Sequence, residues 1–156
     1  MTADEVINII LEKEGGLVDH PKDPGGLTNF GIAQKFYPNV DIRNLTRDKA
    51  VEIYKADYYD KVHGDLLPEM VRLAVVDCAV NQGVSVAVKI LQKLVGAVCD
   101  GHLGPETFRA INLYDPQKLL FDFMAARRAK YYVTKHYDVF GKGWMNRLED
   151  IEKRSV

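Results

Sequence analysis

Two carboxylates and a hydroxyl lie close together near the start of the chain: Glu14, then eight residues, Asp23, then four residues, Thr28. Glu14 closes a helical pattern in which Val6, Ile7, Ile10 and Leu11 form an apolar stripe. It follows Ile7 by seven, Ile10 by four and Leu11 by three, so it falls on that stripe and not on the charged face. Burial and the negative end of a helix both work against an anion there, which is what a general acid requires. Asp23 sits instead in a polar Gly/Pro stretch with Pro21, Pro24, Gly25 and Gly26, where water and backbone N–H groups can hold a carboxylate ionised. Thr28 adds a hydroxyl able to orient a water or a sugar group. An acid, a carboxylate and a hydroxyl suit attack by water at an anomeric carbon. The same residues also fit a solvated helix end followed by a tight turn.

The elements that must position these groups are helical. Residues 3–14 read as a helix with Thr2 as N-cap and Asp4 and Glu5 in the first turn. Gly15-Gly16 ends it, and a loop follows with at least one tight turn and room for a short hairpin. Residues 30–37 are expected to form a short helix, stopped before Pro38. Thr46 caps a helix to about Lys61, with Val51, Tyr54 and Tyr58 on one face and Tyr59 beside them. The run Glu69–Gln82 is apolar nearly all round, which describes a central buried helix. Ser85 is expected to cap the next helix, with Ala87, Leu91 and Leu94 inward and Lys89, Gln92 and Lys93 outward. Pro105 opens a short helix to about Asn112, and Asp115-Pro116 opens the longest, to about Lys135. Gly141-Lys142-Gly143 is expected to break the chain before a last short helix marked by Trp144, Leu148 and Ile151. No strand of convincing length, repeat or low-complexity linker is visible. The expectation is one mostly α domain over residues 1–156.

Composition narrows the function. A chain of 156 residues with 47% hydrophobic and 28% charged residues fits a globular domain with a sizeable core. The net charge of −1 leaves no basic excess for binding nucleic acid through phosphate neutralisation. Cys78 and Cys99 are too few for a disulfide framework, and with His102 they lack the short-spaced ligand pair of a zinc site. His20 and His63 have no metal-ligand spacing either, so neither metal nor cofactor is expected. The N-terminus lacks the basic region of a secretory signal, and no stretch approaches a membrane span. The expectation is a protein made in the cytoplasm and carried outward by other machinery.

Glu14-Gly15-Gly16, Pro21, Asp23-Pro24-Gly25-Gly26, Thr28 and Gly31-Ile32 resemble the N-terminal signature of glycoside hydrolase family 108. These are lysozyme-like muramidases of phages, prophages and some bacterial secretion systems. Asp77-Cys78-Ala79-Val80-Asn81-Gln82-Gly83 is similar to the family's buried helix, and Gly143-Trp144-Met145-Asn146-Arg147 to its closing element. Leu91-Gln92, Asp100-Gly101, Gly104-Pro105 and Thr107 look like its predicted peptidoglycan-binding region. The resemblance implies a lysozyme-like fold, with residues 1–90 carrying the catalytic motif and 91–156 a helical peptidoglycan-binding part. It implies a monomer that hydrolyses the bond between N-acetylmuramic acid and N-acetylglucosamine, serving as a phage endolysin beside a holin or as part of a secretion route. Glu14 matches the family's catalytic glutamate, and Asp23 and Thr28 carry over beside it.

Further candidates stay open between two roles. Asp77 and Asn81 either satisfy buried polar groups between helices or, for Asn81, reach the cleft floor and bond an N-acetyl group. Tyr58, Tyr59 and Trp144 are either core anchors or platforms for pyranose rings. Two other activities share the motif: lytic transglycosylase chemistry with Glu14 as acid and base, and wall binding without catalysis.

Overall fold

The computed structural model describes residues 1–19 and 26–156. Helix α1 (Ala3–Glu14) starts from a reciprocal cap, in which Glu5 N–H donates to Thr2 Oγ1 at 3.2 Å and Thr2 N–H to Glu5 Oε2 at 2.7 Å. Its stripe Val6, Ile7, Ile10 and Leu11 is buried, as the spacing requires.

Among the described residues the strands form a small antiparallel sheet of three, β1 (Val18–Asp19), β2 (Leu27–Asn29) and β3 (Ile32–Ala33), in that order. Val18 faces Thr28, and Asn29 faces Ile32 across a two-residue turn. The helix expected over 30–37 does not form: residues 30 and 31 are the hairpin turn, Ile32–Ala33 is β3, and 34–36 is a turn. Phe30 and Gly31 are both left-handed, with φ of 53° and 75°, and two such residues in succession match the twist of a tight hairpin. Burial of Ile32 and of the Asn29 side chain, whose amide donates to Ile42 O at 3.1 Å, fixes the hairpin against the body.

Helix α2 (Arg47–Tyr54) is capped by Thr46 and passes directly into a π-helical turn (Lys55–Tyr59), closed by Asp60 N–H on Lys55 O at 2.8 Å. The wider turn lets Tyr54 and Tyr59, five residues apart, both point into the core. Tyr59 is wholly buried above Gly64, where a Cβ would come within 2.5 Å of its ring, and its hydroxyl donates to Asp65 at 2.7 Å. A sugar therefore has no access to its face, and the expectation of Tyr59 as a platform is corrected.

Helix α3 (Glu69–Gln82) is the central element, with every residue from Leu73 to Ala79 buried. Around it pack α1, α4 (Val84–Val95), α6 (Pro116–Tyr132) and α7 (Tyr137–Arg154), and α5 (Pro105–Leu113) lies on α4. Gly83 alone separates α3 from α4, at φ 109°, and it occupies the cap position expected for Ser85. Gln92 points inward and not outward: its amide donates to Asp100 Oδ1 and His102 O, both at 2.9 Å, and accepts from Gly101 N–H at 3.0 Å. The Asp100–Thr107 segment is thus knit to α4 by one buried amide.

The largest departure from expectation is at the C-terminus. Helix α7 begins at Tyr137 and runs unbroken through Gly141 and Gly143. Gly141 is there for contact: a Cβ would sit 2.6 Å from the Tyr137 ring, itself packed 5.1 Å from Tyr132 and 6.5 Å from Trp144. Helix propensity alone would make Gly141→Ala stabilising by ~1 kcal/mol. The crowded ring reverses the sign, and urea denaturation is expected to show a loss of ~1–3 kcal/mol.

Candidate active site

Glu14 is the last residue of α1, and its side chain is 20% exposed. The last turn of α1 is clasped to α7 by three ion pairs in reverse order: Glu12 with Arg154, Lys13 with Asp150, and Glu14 with Arg147. The hydrogen bond from Lys13 holds the Asp150 carboxyl below its ordinary range. Charged residues so fix where the helix carrying Glu14 ends.

Behind Glu14 runs a ladder of alternating charge. Arg147 Nη2 donates to Glu14 Oε1 at 2.9 Å and to Asp77 Oδ1 at 2.8 Å, with Nε on the same Asp77 oxygen at 3.1 Å. Asp77 Oδ2 accepts from Arg127 Nη2 at 2.9 Å, and Arg127 Nε donates to Gln82 Oε1 at 2.7 Å. Asp77 and Arg127 are completely buried. Burial alone would lower the pKa of Arg147, but Asp77 and then Glu14 outweigh it and raise it above the ordinary arginine value. Two guanidinium groups and two carboxylates alternate, so no buried charge lacks a counter-charge.

In front of Glu14 sits the tip of the hairpin. A Cβ on Gly31 would be 2.8 Å from Glu14 Oε2 and 2.7 Å from the Tyr54 hydroxyl. Tyr54 donates to Phe30 O at 2.7 Å, which holds the tip down. Burial, and next the nearby Glu14 carboxylate, push the Tyr54 phenol up, so it stays a neutral donor. Tyr58 is half-buried, its ring centroid 5.4 Å from that of Tyr54, and burial, Asp57 and Glu14 raise its pKa in turn. With Arg147 on Oε1 and no described residue bonding Oε2, the second oxygen is left to face the hairpin side.

The other expected residues divide. Thr28 is in mid-strand, half-buried, on the face of β2 opposite Asn29. Asp23 lies outside the described residues. Asn81, one turn beyond Asp77, has a buried Oδ1 with no hydrogen-bond partner among the described residues, so this oxygen is not used to fasten helices. Trp144, one turn before Arg147, stacks on Tyr131 at 4.8 Å within an aromatic cluster that includes Phe140. Cys78 is buried, which pushes its thiol up to about 11.

Sequence reasoning missed Arg127, and quoted Arg147 only as part of a motif. The signal was present: Arg127 stands on the apolar stripe of Leu120, Phe123, Met124 and Tyr131, and Asp77 on a helix otherwise apolar. Two opposite charges on core-facing stripes must meet, because a buried unpaired charge is too costly.

A mostly α, lysozyme-like domain with a carboxyl at the end of its first helix and a hairpin folded over it belongs to the glycan-cleaving class. Residues 7–83 match the model of the glycosyl hydrolase 108 family, and residues 86–149 that of a predicted peptidoglycan domain. The solved structure of Brucella abortus SagA is similar, with a TM-score of 0.87 and 35% sequence identity over 98% of this chain and 92% of that one. No curated protein sequence matches the chain. The chain belongs to glycosyl hydrolase family 108, a glycoside hydrolase acting on peptidoglycan. The two matched segments meet at the α3–α4 junction. Glu14 and Asp77 come from the first, Arg127 and Arg147 from the second.

Gly31→Ala tests the hairpin contact. The positive φ and the clash with Glu14 and Tyr54 are together expected to cost ~1–3 kcal/mol of stability by thermal unfolding. Turnover of peptidoglycan should fall at least about tenfold, because a small misplacement of a reacting group is expensive.

Proposed function

We propose that this protein is an N-acetylmuramidase that hydrolyses the β-1,4 bond between N-acetylmuramic acid and N-acetylglucosamine in peptidoglycan strands. Glu14 protonates the leaving oxygen from Oε2, the oxygen that Arg147 does not hold. Asp23, with Thr28, positions or activates the attacking water from the loop side. Asn81 accepts a hydrogen bond from a substrate N-acetyl group or hydroxyl, and Tyr58 offers a half-exposed ring and hydroxyl beside the acid. Trp144 packs with Tyr131, Tyr137 and Phe140 and serves as a core anchor.

The observation that carries this reading is the placing of Glu14. It is a carboxyl fixed on one oxygen by an ion ladder and bonded on the other by no described residue, under a hairpin held down by Tyr54. A structural glutamate at a helix end needs neither feature.

Glu14→Gln keeps the shape and removes the acid. The folded variant is expected to clear purified peptidoglycan at least ~100-fold more slowly than wild type, the range in which a lost general acid falls. Mass analysis of the wild-type products should give reducing ends. Lysis by Glu14→Gln at the wild-type rate would remove Glu14 from the mechanism, and 1,6-anhydro ends would replace hydrolysis by transglycosylation.

A further inference from the structure

A groove of about 770 Å³ runs between α4 and α6, on a face of α6 other than the one that carries Arg127. Its floor is apolar: Ile90 is buried, and Leu94 and Ala126 are half-buried. Its rim carries three exposed lysines, Lys89 and Lys93 one turn apart on α4, and Lys130 opposite on α6. Among the described residues, no acidic side chain lines it.

Among the described residues, Lys49, Lys55, Lys118 and Lys153 are each paired with a nearby carboxylate, whereas Lys35, Lys61, Lys135 and Lys142 are not, so what sets the groove apart is that three lysines gather around one apolar floor. None of the three groove lysines makes an ion pair among the described residues. In a chain of net charge −1, three unpaired ammonium groups around one apolar floor form a local field that selects an anion with a small apolar body.

We propose that this groove binds the peptide stem of peptidoglycan. The inference rests on the proposed action on peptidoglycan. The stem is a short chain in which alanine methyls flank two adjacent residues bearing free carboxylates. Its methyls suit a floor of Ile90, Leu94 and Ala126, and its carboxylates suit the three ammonium groups. The groove lies wholly in the segment that matches a predicted peptidoglycan domain. The stem therefore engages one face while the glycan strand lies at Glu14, and the protein reads both components of the polymer.

The test uses the full chain and the soluble stem tetrapeptide alanyl-γ-glutamyl-diaminopimelyl-alanine, followed by amide chemical shifts. Wild type is expected to bind it, with shifts concentrated in residues 89–94 and 126–130, more weakly as salt is added. The K89E/K93E variant should bind about tenfold more weakly, whereas K89R/K93R keeps the affinity. On whole peptidoglycan K89E/K93E should lose turnover at low substrate. On glycan strands stripped of peptide by an amidase it should match wild type. The proposal is overturned if the stem does not bind, if binding ignores the lysines, or if the groove takes a polyphosphate wall polymer in preference to the stem. If the hydrolase reading itself fails, neither polymer is cleaved by wild type, yet stem binding is still measured.

Discussion

The structure depends on one buried run of alternating charge: Glu14, Arg147, Asp77, Arg127, and the Gln82 amide at its end. Each member comes from a helix packed on or forming the centre, α1, α7, α3 and α6, so the ladder sets their relative register. Replaced by well-packed apolar side chains, such a ladder would often give an equally stable core. Its outermost member is Glu14, the carboxyl proposed to act on substrate. Two of the four charged groups belong to the segment matched as a peptidoglycan domain, so the two matched segments are joined at the site itself.

The opposite wall of the site is made by local backbone devices. A two-residue turn with both residues left-handed brings Gly31 against Glu14, and the Tyr54 hydroxyl ties that turn to α2. The π-helical turn after Tyr54 then rotates the chain so that Tyr58 stays at the surface beside the acid while Tyr59 goes into the core. Glu14 is consequently bounded by a charged wall behind and a backbone wall in front. One carboxylate oxygen faces each.

Much of this was legible in the residues. The apolar stripe of α1 is buried as its spacing requires, and the all-round apolar run of Glu69–Gln82 marked the central helix, but Glu14 at the end of α1 is only half-buried and has a cationic partner, Arg147, that the stripe did not announce. What failed did so where tertiary contact overrides local preference. Gly141 reads as a helix breaker, but its missing Cβ makes room for the Tyr137 ring, and the helix continues. Gln92 reads as a wet-face residue by type, but the loop after α4 has backbone and carboxylate groups that only a buried amide can satisfy. Phe30 favours a helix by neighbourhood, whereas the strand partners on either side demand a left-handed turn. The ladder was half visible: a lone Asp on one apolar helix and a lone Arg on another imply a pair, but pairing the second Arg with both carboxylates requires three dimensions.

The proposal that the C-terminal helix holds the carboxyl that acts on substrate is tested most directly by the turnover of purified peptidoglycan by Arg147→Lys. Lysine keeps the charge but not the fork that reaches Glu14 and Asp77 together. The account predicts a folded protein whose turnover falls about tenfold, because Glu14 has lost the partner that fixes its position. A folded Arg147→Lys protein with wild-type turnover would contradict it.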